Sequence, residues 1–258
     1  MGCYPLFACQ DWSQLCADLG DIGGELVSLA LVADPLGEYE VACLRQCFDI
    51  VFPFKEHFTV DLERPLNDIV SAHHRYYARK ALRNILVEEC RAPTQFIDDW
   101  VALYSTLIQR HNITGIRGFS RESFAKQLSV PGIVVFRAEH QGVTVGAHLW
   151  YVQGQVGYSH LEAVSSSGYK LRAAYALYWS AMQWFSGTIR WLDLGAGAGI
   201  NNKGTDGLSL FKQGWATDTR PAYFCGRIFD RARYLEIVKA KKIASTDYFP
   251  AYRKGEFA

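Results

Sequence analysis

Apolar residues change their spacing several times along the chain, and each change marks an element. Between residues 1 and 62 short apolar runs alternate with turn residues. LVSLALVADPLG, FDIVFPF and EHFTVDL read as strands, with short helices expected around DWSQLCADL and VACLRQCF. After Pro65 the spacing becomes helical through LNDIVSAHHRYYARKALRNILVEE. A second helix, TQFIDDWVALYSTLIQRH, follows Pro93 with Thr94 as its expected cap, and SRESFAKQL predicts a short helix opened by Ser120. GIVVFRAEHQ, VTVGAHLWYVQG and QVGYSHLEAV are divided by turns short enough to force antiparallel neighbours, which predicts a three-stranded meander. GYKLRAAYALYWSAMQWFSG predicts one long helix, and RWLDLGAGAG a strand that this crossover lays parallel to the sheet. DGLSLFKQGW predicts a short helix and PAYFCGRIFD a last strand.

The change at Pro65 divides the chain into a truncated N-terminal α/β subdomain, residues 1–64, and a larger domain, residues 65–258. Of the 258 residues 49% are apolar, enough for a buried core throughout, and there is no internal repeat or low-complexity segment. The formal net charge of +1 argues against attachment to nucleic acid or membrane through overall charge, so no DNA partner is expected. There is no run of about 18 apolar residues to span a membrane. MGCYPLFACQDW lacks the basic start and sustained apolar run of a signal peptide, and Leu6 breaks the lipidation pattern begun by Gly2 and Cys3. Cys3, Cys9, Cys16, Cys43, Cys47, Cys90 and Cys225 are odd in number, lack a paired CxxC pattern and sit mostly in apolar surroundings. They are expected to be reduced, buried thiols of a cytoplasmic protein. Cys43 and Cys47 have no second ligand pair, so no metal site is expected. The residues assign no oligomeric state.

Several positions carry chemistry. Arg75, Arg79 and Arg83 recur every four residues and share a helix face. Ser165, Ser166, Ser167, Gly168, Tyr169 and Lys170 place hydroxyls, backbone N–H groups and one cation at a helix start, which suits an anion. Tyr158, His160 and Glu162 alternate along YSHLEAV and are expected on one face, with Glu162 the first choice for a general base. Each has a plain rival: a solvated stripe, a serine-rich helix cap, a half-exposed strand.

Three segments sharpen the picture: HHRYYARKAL, YSHLEAVSSSGYKLRAAYALYWSAMQW and DLGAGAGINNKGTDGLSLFKQGW. With the order of elements they make residues 70 to 230, approximately, resemble the GNAT fold, and within it the Fem-type aminoacyltransferases, which form amide bonds on cell-wall precursors. The last segment is the most specific, because Fem-type proteins follow a D-[LF]-G strand end with a gap, a Gly-Leu and an FK-x-G-[FW] turn. The resemblance implies an α/β (α+β) fold with a mixed, mostly antiparallel GNAT-like sheet flanked by helices. It also implies an N-acyltransferase that moves an acyl or aminoacyl group to an amine of a small or carrier-linked anionic acceptor, such as a cell-envelope precursor. The implied donor is acyl-CoA, with aminoacyl-tRNA as the alternative, less favoured here, and no metal takes part.

In such folds the strand carrying Glu162 parts from the parallel strand carrying Asp193, and backbone groups freed there hold the acyl carbonyl. The helix start after the first of them faces phosphate, which assigns donor contacts to Ser165 through Lys170. The resemblance therefore implies Glu162, His160 and Asp193 as catalytic candidates, with both carboxylates on one side of the sheet, and gives Asp193 a structural or substrate-orienting part. Lys212 matches a lysine that contacts the acceptor's phosphate, with Tyr158, Arg75 and Arg79 as further substrate contacts. Two departures stand out. Ordinary GNAT enzymes bind the pyrophosphate of coenzyme A with an Arg/Gln-x-x-Gly-x-Gly/Ala loop, of which the stretch at Ser165–Lys170 keeps one glycine. Residues 1–64 are also too few for the second GNAT-like half of Fem proteins, and no coiled-coil arm is inserted.

WLDLGAGAG also looks like the first motif of S-adenosylmethionine-dependent methyltransferases. That motif should open a Rossmann-like domain and lead into a helix, whereas the residues from Ile200 to Gly204 break one and fewer than 60 residues remain. A non-catalytic binding module that keeps a GNAT-like fold is the third reading.

Overall fold

The structure, a computed structural model, describes residues 6–113, 115, 118–199 and 206–256. Among the described residues two compact units are present: 6–56 with 220–256, and those between His57 and Thr219. The boundary drawn at residue 64 falls inside the second unit, and the chain after Thr219 joins the first. Gly2, Cys3 and the residues 200–204 lie outside the described residues.

In chain order the elements are β1 (Leu6–Phe7), α1 (Leu15–Ile22), β2 (Ser28–Ala33), α2 (Val41–Cys47), β3 (Ile50–Asp61), α3 (Leu66–Ile69), α4 (Ala72–Ala81) and β4 (Leu86–Glu89). They continue as α5 (Ile97–His111), α6 (Arg121–Leu128), β5 (Ile133–His140), β6 (Val143–Gln153), β7 (Val156–Val164), α7 (Ser166–Leu171) and α8 (Ala173–Phe185). The last are β8 (Trp191–Ala196), α9 (Gly207–Gln213), β9 (Asp218–Ile228) and α10 (Arg231–Ala240).

In the first unit β2 pairs parallel with β1 and antiparallel with β9. Leu15 and Leu19 of α1 and Leu44 of α2 are buried with Phe48 and Cys225. Packing brings the Cα atoms of Cys16 and Cys47 to 4.9 Å, within bridging range, and the two form a disulfide. This corrects the expectation of reduced thiols throughout and removes its support for a cytoplasmic location. Cys43 is exposed, not buried, while Cys9, Cys90 and Cys225 are free. Among the described residues no helix is long and apolar enough to cross a membrane.

The second unit is a mixed sheet in the order β3, β8, β7, β6, β5, β4, antiparallel at each pairing but that of β7 with β8. The meander forms as expected, and Gln141 and Gly142, both at positive φ (52° and 79°), make the tight turn between β5 and β6. FDIVFPF and EHFTVDL prove to be one strand, β3, because Pro53 removes a single ladder donor without ending the extended run. The helical pattern after Pro65 contains three elements. Val70 is extended, Ser71 caps α4 by accepting the His74 N–H at 3.2 Å, and the ILVEE end pairs with β5 as β4. Pro93–Phe96 forms a 3-10 turn before α5, so Thr94 is no cap. The single long helix expected after β7 is broken at Arg172, whose φ of 65° ends α7. That break lets α8 aim Ala173, Ala176, Leu177, Met182 and Phe185 into the core.

Side-chain alternation sends the two sheet faces to different helices. Trp150 of β6 meets Phe185 of α8, ring centres 5.3 Å apart, whereas the Tyr151 hydroxyl donates to the carbonyl of Gln127 in α6 at 3.1 Å. On the α8 face, burying each side chain such as Leu177 or Met182 contributes about 1.5–3 kcal/mol. The FK-x-G-W turn closes this layer. Ser71 N–H donates to the Gly214 carbonyl at 2.9 Å, and His74 Nε2 donates to the Phe211 carbonyl at 3.0 Å. Gly214 lies so close to the His74 ring that an added Cβ would come within 2.0 Å of it. Gly214→Ala is therefore expected to lose about 1–3 kcal/mol in urea unfolding. The double variant with His74→Ala should recover part of that loss, and strict additivity of the two costs would refute the contact.

Candidate active site

The parallel ladder between β7 and β8 ends at the pair Tyr158 and Asp193, although β7 runs on to Val164 and β8 to Ala196. The strands part at this point, leaving residues 159–164 without a β8 partner. The turn at residues 154–155 sets the β6–β7 register, and a strict count from it would place His148 opposite Leu161. A bulge at His160 adds one residue to β7, so that Trp150 pairs with Ser159 but His148 pairs with Glu162. Side chains of directly paired residues share a face, so Ser159 and Glu162 both turn toward α8 with His148 and Trp150.

There they form a polar cluster inside the apolar layer. His148 is fully buried, its Nε2 lies 2.8 Å from Ser159 Oγ, and its ring packs tilted against that of Tyr178 with centres 4.7 Å apart. Glu162 is half-buried as a residue, but its Oε1 is buried and has no hydrogen-bond partner, and the same holds for His148 Nδ1. Burial raises the Glu162 pKa to about 7, against the opposing pull of the Lys212 charge. Burial first, then the charges of Lys212 and His160, hold His148 well below the ordinary histidine value, so its ring is neutral. Lys212, itself buried, donates from Nζ to the Ala196 carbonyl at 2.8 Å, at the end of β8. Glu162 and Lys212, singled out from the sequence, are thus brought together.

Asp193 and Glu162 are not. Leu192 lines the α8 core, so Asp193, one residue on, points to the other face. There its carboxylate takes His57 Nδ1 at 2.8 and 2.9 Å and the Gly195 N–H at 2.7 Å, with His57 and Asp193 both buried. Gly195, at φ 74°, supplies the left-handed backbone this clasp requires. The expectation that the two carboxylates face one opening is therefore wrong. His160 and Tyr158 also leave Glu162: His160 Nε2 meets Gln127 Oε1 at 2.9 Å and its ring packs on Tyr151, which pairs with Tyr158. The bulge is the reason, since alternation without it would have kept His160 beside Glu162.

At the start of α7, Ser165 Oγ accepts the Gly168 N–H at 3.1 Å and lies 2.9 Å from Ser167 Oγ, so the loop meets part of its own hydrogen-bonding demand. Gly168 is fitted to the sheet, because an added Cβ would lie 2.1 Å from the Val145 carbonyl oxygen. Tyr169 is exposed and carries the Arg110 guanidinium 4.9 Å over its ring; Lys170 is exposed. Arg75 donates to the carbonyls of Asn67 and Val70, tying α3 to α4. Arg79 and Arg83 point outward and line, with Tyr76 and Lys80, a groove of about 420 Å³, while α4 turns His74 and Ala78 inward. The arginine stripe is not part of the Glu162 cluster. Among the described residues no group of three or more His, Cys, Asp or Glu side chains could hold a metal ion.

His148, Ser159, Tyr178, His57 and Arg110 were not singled out from the sequence. His148 and Trp150 do stand at period two within VGAHLWYV, which marks one face, but only the bulge aligns that face with Glu162. WLDLGAGAG, the methyltransferase-like stretch, is β8, paired antiparallel with β3 as well as parallel with β7, and a mostly antiparallel sheet is not a Rossmann-like one.

Residues 71–201 match the family described as acetyltransferase (GNAT) domain. No curated protein is matched in sequence. The fold is similar to the crystal structure of FemX, at 13% identity and a TM-score of 0.67, covering 88% of this chain and 80% of that one. It is also similar to the C-terminal domain of a putative lysylphosphatidylglycerol synthetase from Agrobacterium fabrum, at 16% identity and a TM-score of 0.64, covering 92% and 79%. A third similar structure, L-PGS from Bacillus licheniformis, has 15% identity and a TM-score of 0.52, covering 78% and 68%.

The buried titratable groups give the molecule an acid limit. Burial lowers the pKa of His148, of His160 to about 4, and of His74, whereas unfolded histidines take up protons near pH 6.5. Their contribution to stability is whole above that pH and is lost as the pH falls below it. Glu162 acts in the opposite sense, taking its proton at about 7 when folded but near 4.5 when unfolded. The histidines outnumber it, so near pH 5 unfolding takes up at least one proton, roughly 1.4 kcal/mol per pH unit. The urea midpoint is expected to fall from pH 6.5 to 4.5, more steeply in Glu162→Gln; a rising midpoint would contradict the assignment.

Proposed function

Because the chain belongs to the GNAT acetyltransferase family and is an acyltransferase, we propose that it transfers an acyl or aminoacyl group to an amine of a small or carrier-linked anionic acceptor, with Glu162 as general base. The observation that carries this reading is the Glu162 carboxyl. It is set on the strand that parts from its neighbour, its Oε1 lacks a partner, and its pKa is raised to the range where a base both accepts and releases a proton near neutrality. An attacking amine must shed a proton as the new amide bond forms and the donor's bond breaks; Glu162 receives it, directly or through water.

Lys212 brings a cation beside this carboxyl, which keeps part of its population ionised and suits an anionic acceptor. Asp193 serves the scaffold, holding β8 to β3 through His57. The donor's phosphates lie by the serines and Lys170 at the start of α7, where Arg110 and Tyr169 add charge and a flat surface. A glycine committed to helix–strand contact, Gly168, leaves less backbone for a pyrophosphate than the usual acetyl-coenzyme A loop. The likeness in fold to FemX and to the C-terminal domain of a putative lysylphosphatidylglycerol synthetase supports an aminoacyl donor and an acceptor in the cell envelope.

Glu162→Gln should lower the transfer rate by about 10²- to 10⁴-fold. In the parent protein the rate should fall on acidification through about pH 7, because only the ionised carboxyl accepts a proton, and Lys212→Ala should move that limb upward. Rates within about twofold of the parent in both variants would sink these roles. Acetyl-coenzyme A or aminoacyl-tRNA should raise the melting temperature. A rise with S-adenosylmethionine alone would favour the methyltransferase reading instead.

A further inference from the structure

Two buried polar atoms on neighbouring strands lack partners, and each has what the other needs. His148 and Glu162 are direct partners in the β6–β7 ladder and share the α8 face, yet His148 Nδ1 and Glu162 Oε1 are both unpartnered. Leaving such groups unmet in a protein interior is costly. The bond behind His148 bears on which kind of atom Nδ1 is. His148 Nε2 lies 2.8 Å from Ser159 Oγ, which has one proton to give. If Nε2 carried the ring proton, two acceptors would face each other at Nδ1 and the ionised carboxyl. If Ser159 donates to Nε2 instead, the proton of the neutral ring sits on Nδ1. Both orphaned atoms are then met, provided Nδ1–H reaches the carboxyl.

We propose that His148 is a positioning residue for Glu162: its Nδ1–H, fixed by the bond between Ser159 and Nε2, donates to the Glu162 carboxyl directly or across one water. The bond favours the ionised carboxylate and fixes its direction, so the buried group can serve as a base at neutral pH. The proposal rests on the reading of Glu162 as base only for its catalytic meaning; the hydrogen bond stands or falls separately. Among the described residues, the charged and titratable groups that bear on the pair are Lys212 of α9, Tyr178 of α8 and, from the opposite face, His160 of β7. His57 and Asp193 bond to each other across the sheet from Glu162.

The test is nuclear magnetic resonance on the full chain, with ¹⁵N-histidine and ¹³C-carboxyl-glutamate labels. The His148 signals are identified by their loss in His148→Phe and those of Glu162 by their loss in Glu162→Gln. The expected result is a neutral His148 with its proton on Nδ1 between about pH 5 and 8. The Glu162 midpoint should rise by about one pH unit in His148→Phe and by less in Ser159→Ala, which frees the tautomer. A proton on Nε2 in the parent, or a midpoint unchanged in both variants, overturns the proposal. A merely structural role would lower the melting temperature without moving the midpoint. If His148→Phe does not fold, Ser159→Ala decides alone, since an unchanged tautomer and midpoint there also overturn it. Full transfer activity in Glu162→Gln would instead remove the base reading and leave the spectroscopic result untouched.

Discussion

Removing a carboxylate from water without meeting its lone pairs raises its pKa, and around Glu162 the chain tolerates that cost at the junction where β7 and β8 separate. The apolar layer of Trp150, Tyr178, Phe185 and Leu177 that excludes water is also what makes the second unit stable. The same packing therefore supplies both the core and the perturbed carboxyl. Lys212 limits the effect, and it can do so because α9 is held in place by the contact of Gly214 with His74 and by the bond from His74 to Phe211.

Small irregularities in otherwise regular strands set the rest of the geometry. The bulge at His160 sends Glu162 to the α8 face and His160 to the α6 face. The turn at Gly195 lets Asp193 cap its own strand end while gripping His57. The shift in the β5–β6 ladder lies beside Val145, whose carbonyl takes the Ser165 N–H and against which Gly168 is pressed. Each irregularity lies next to a polar group with a fixed partner or an unusual burial, as expected where a sheet must re-aim side chains without losing its core.

The family match spans residues 71–201, and the helices, strands and loop that frame Glu162 all fall within it. Lys212 lies beyond it, on α9, yet its charge bears on Glu162 and His148 inside it. The charge interaction thus joins a residue outside the matched stretch to the polar cluster within. The arginine stripe on α4 belongs to the exterior of the same unit, and its first member, Arg75, is committed to the turn between α3 and α4.

The sequence by itself determined the meander, the crossover to a parallel strand, the short capped helix at Ser120 and the FK-x-G-W turn. These follow from side-chain periodicity, turn dipeptides and local caps, all properties of residues close together in the chain. It also marked Glu162 and Lys212, because their residue types and element ends are local facts. Tertiary structure decided the remainder. Which face a strand residue reaches depends on every bulge between it and the turn, and a bulge carries no reliable local signal, so His160 and Asp193 were misplaced and His148 was overlooked. The break at Arg172 and the bridge between Cys16 and Cys47 likewise arise from packing between elements distant in sequence, where burial and proximity override the pattern of any one segment.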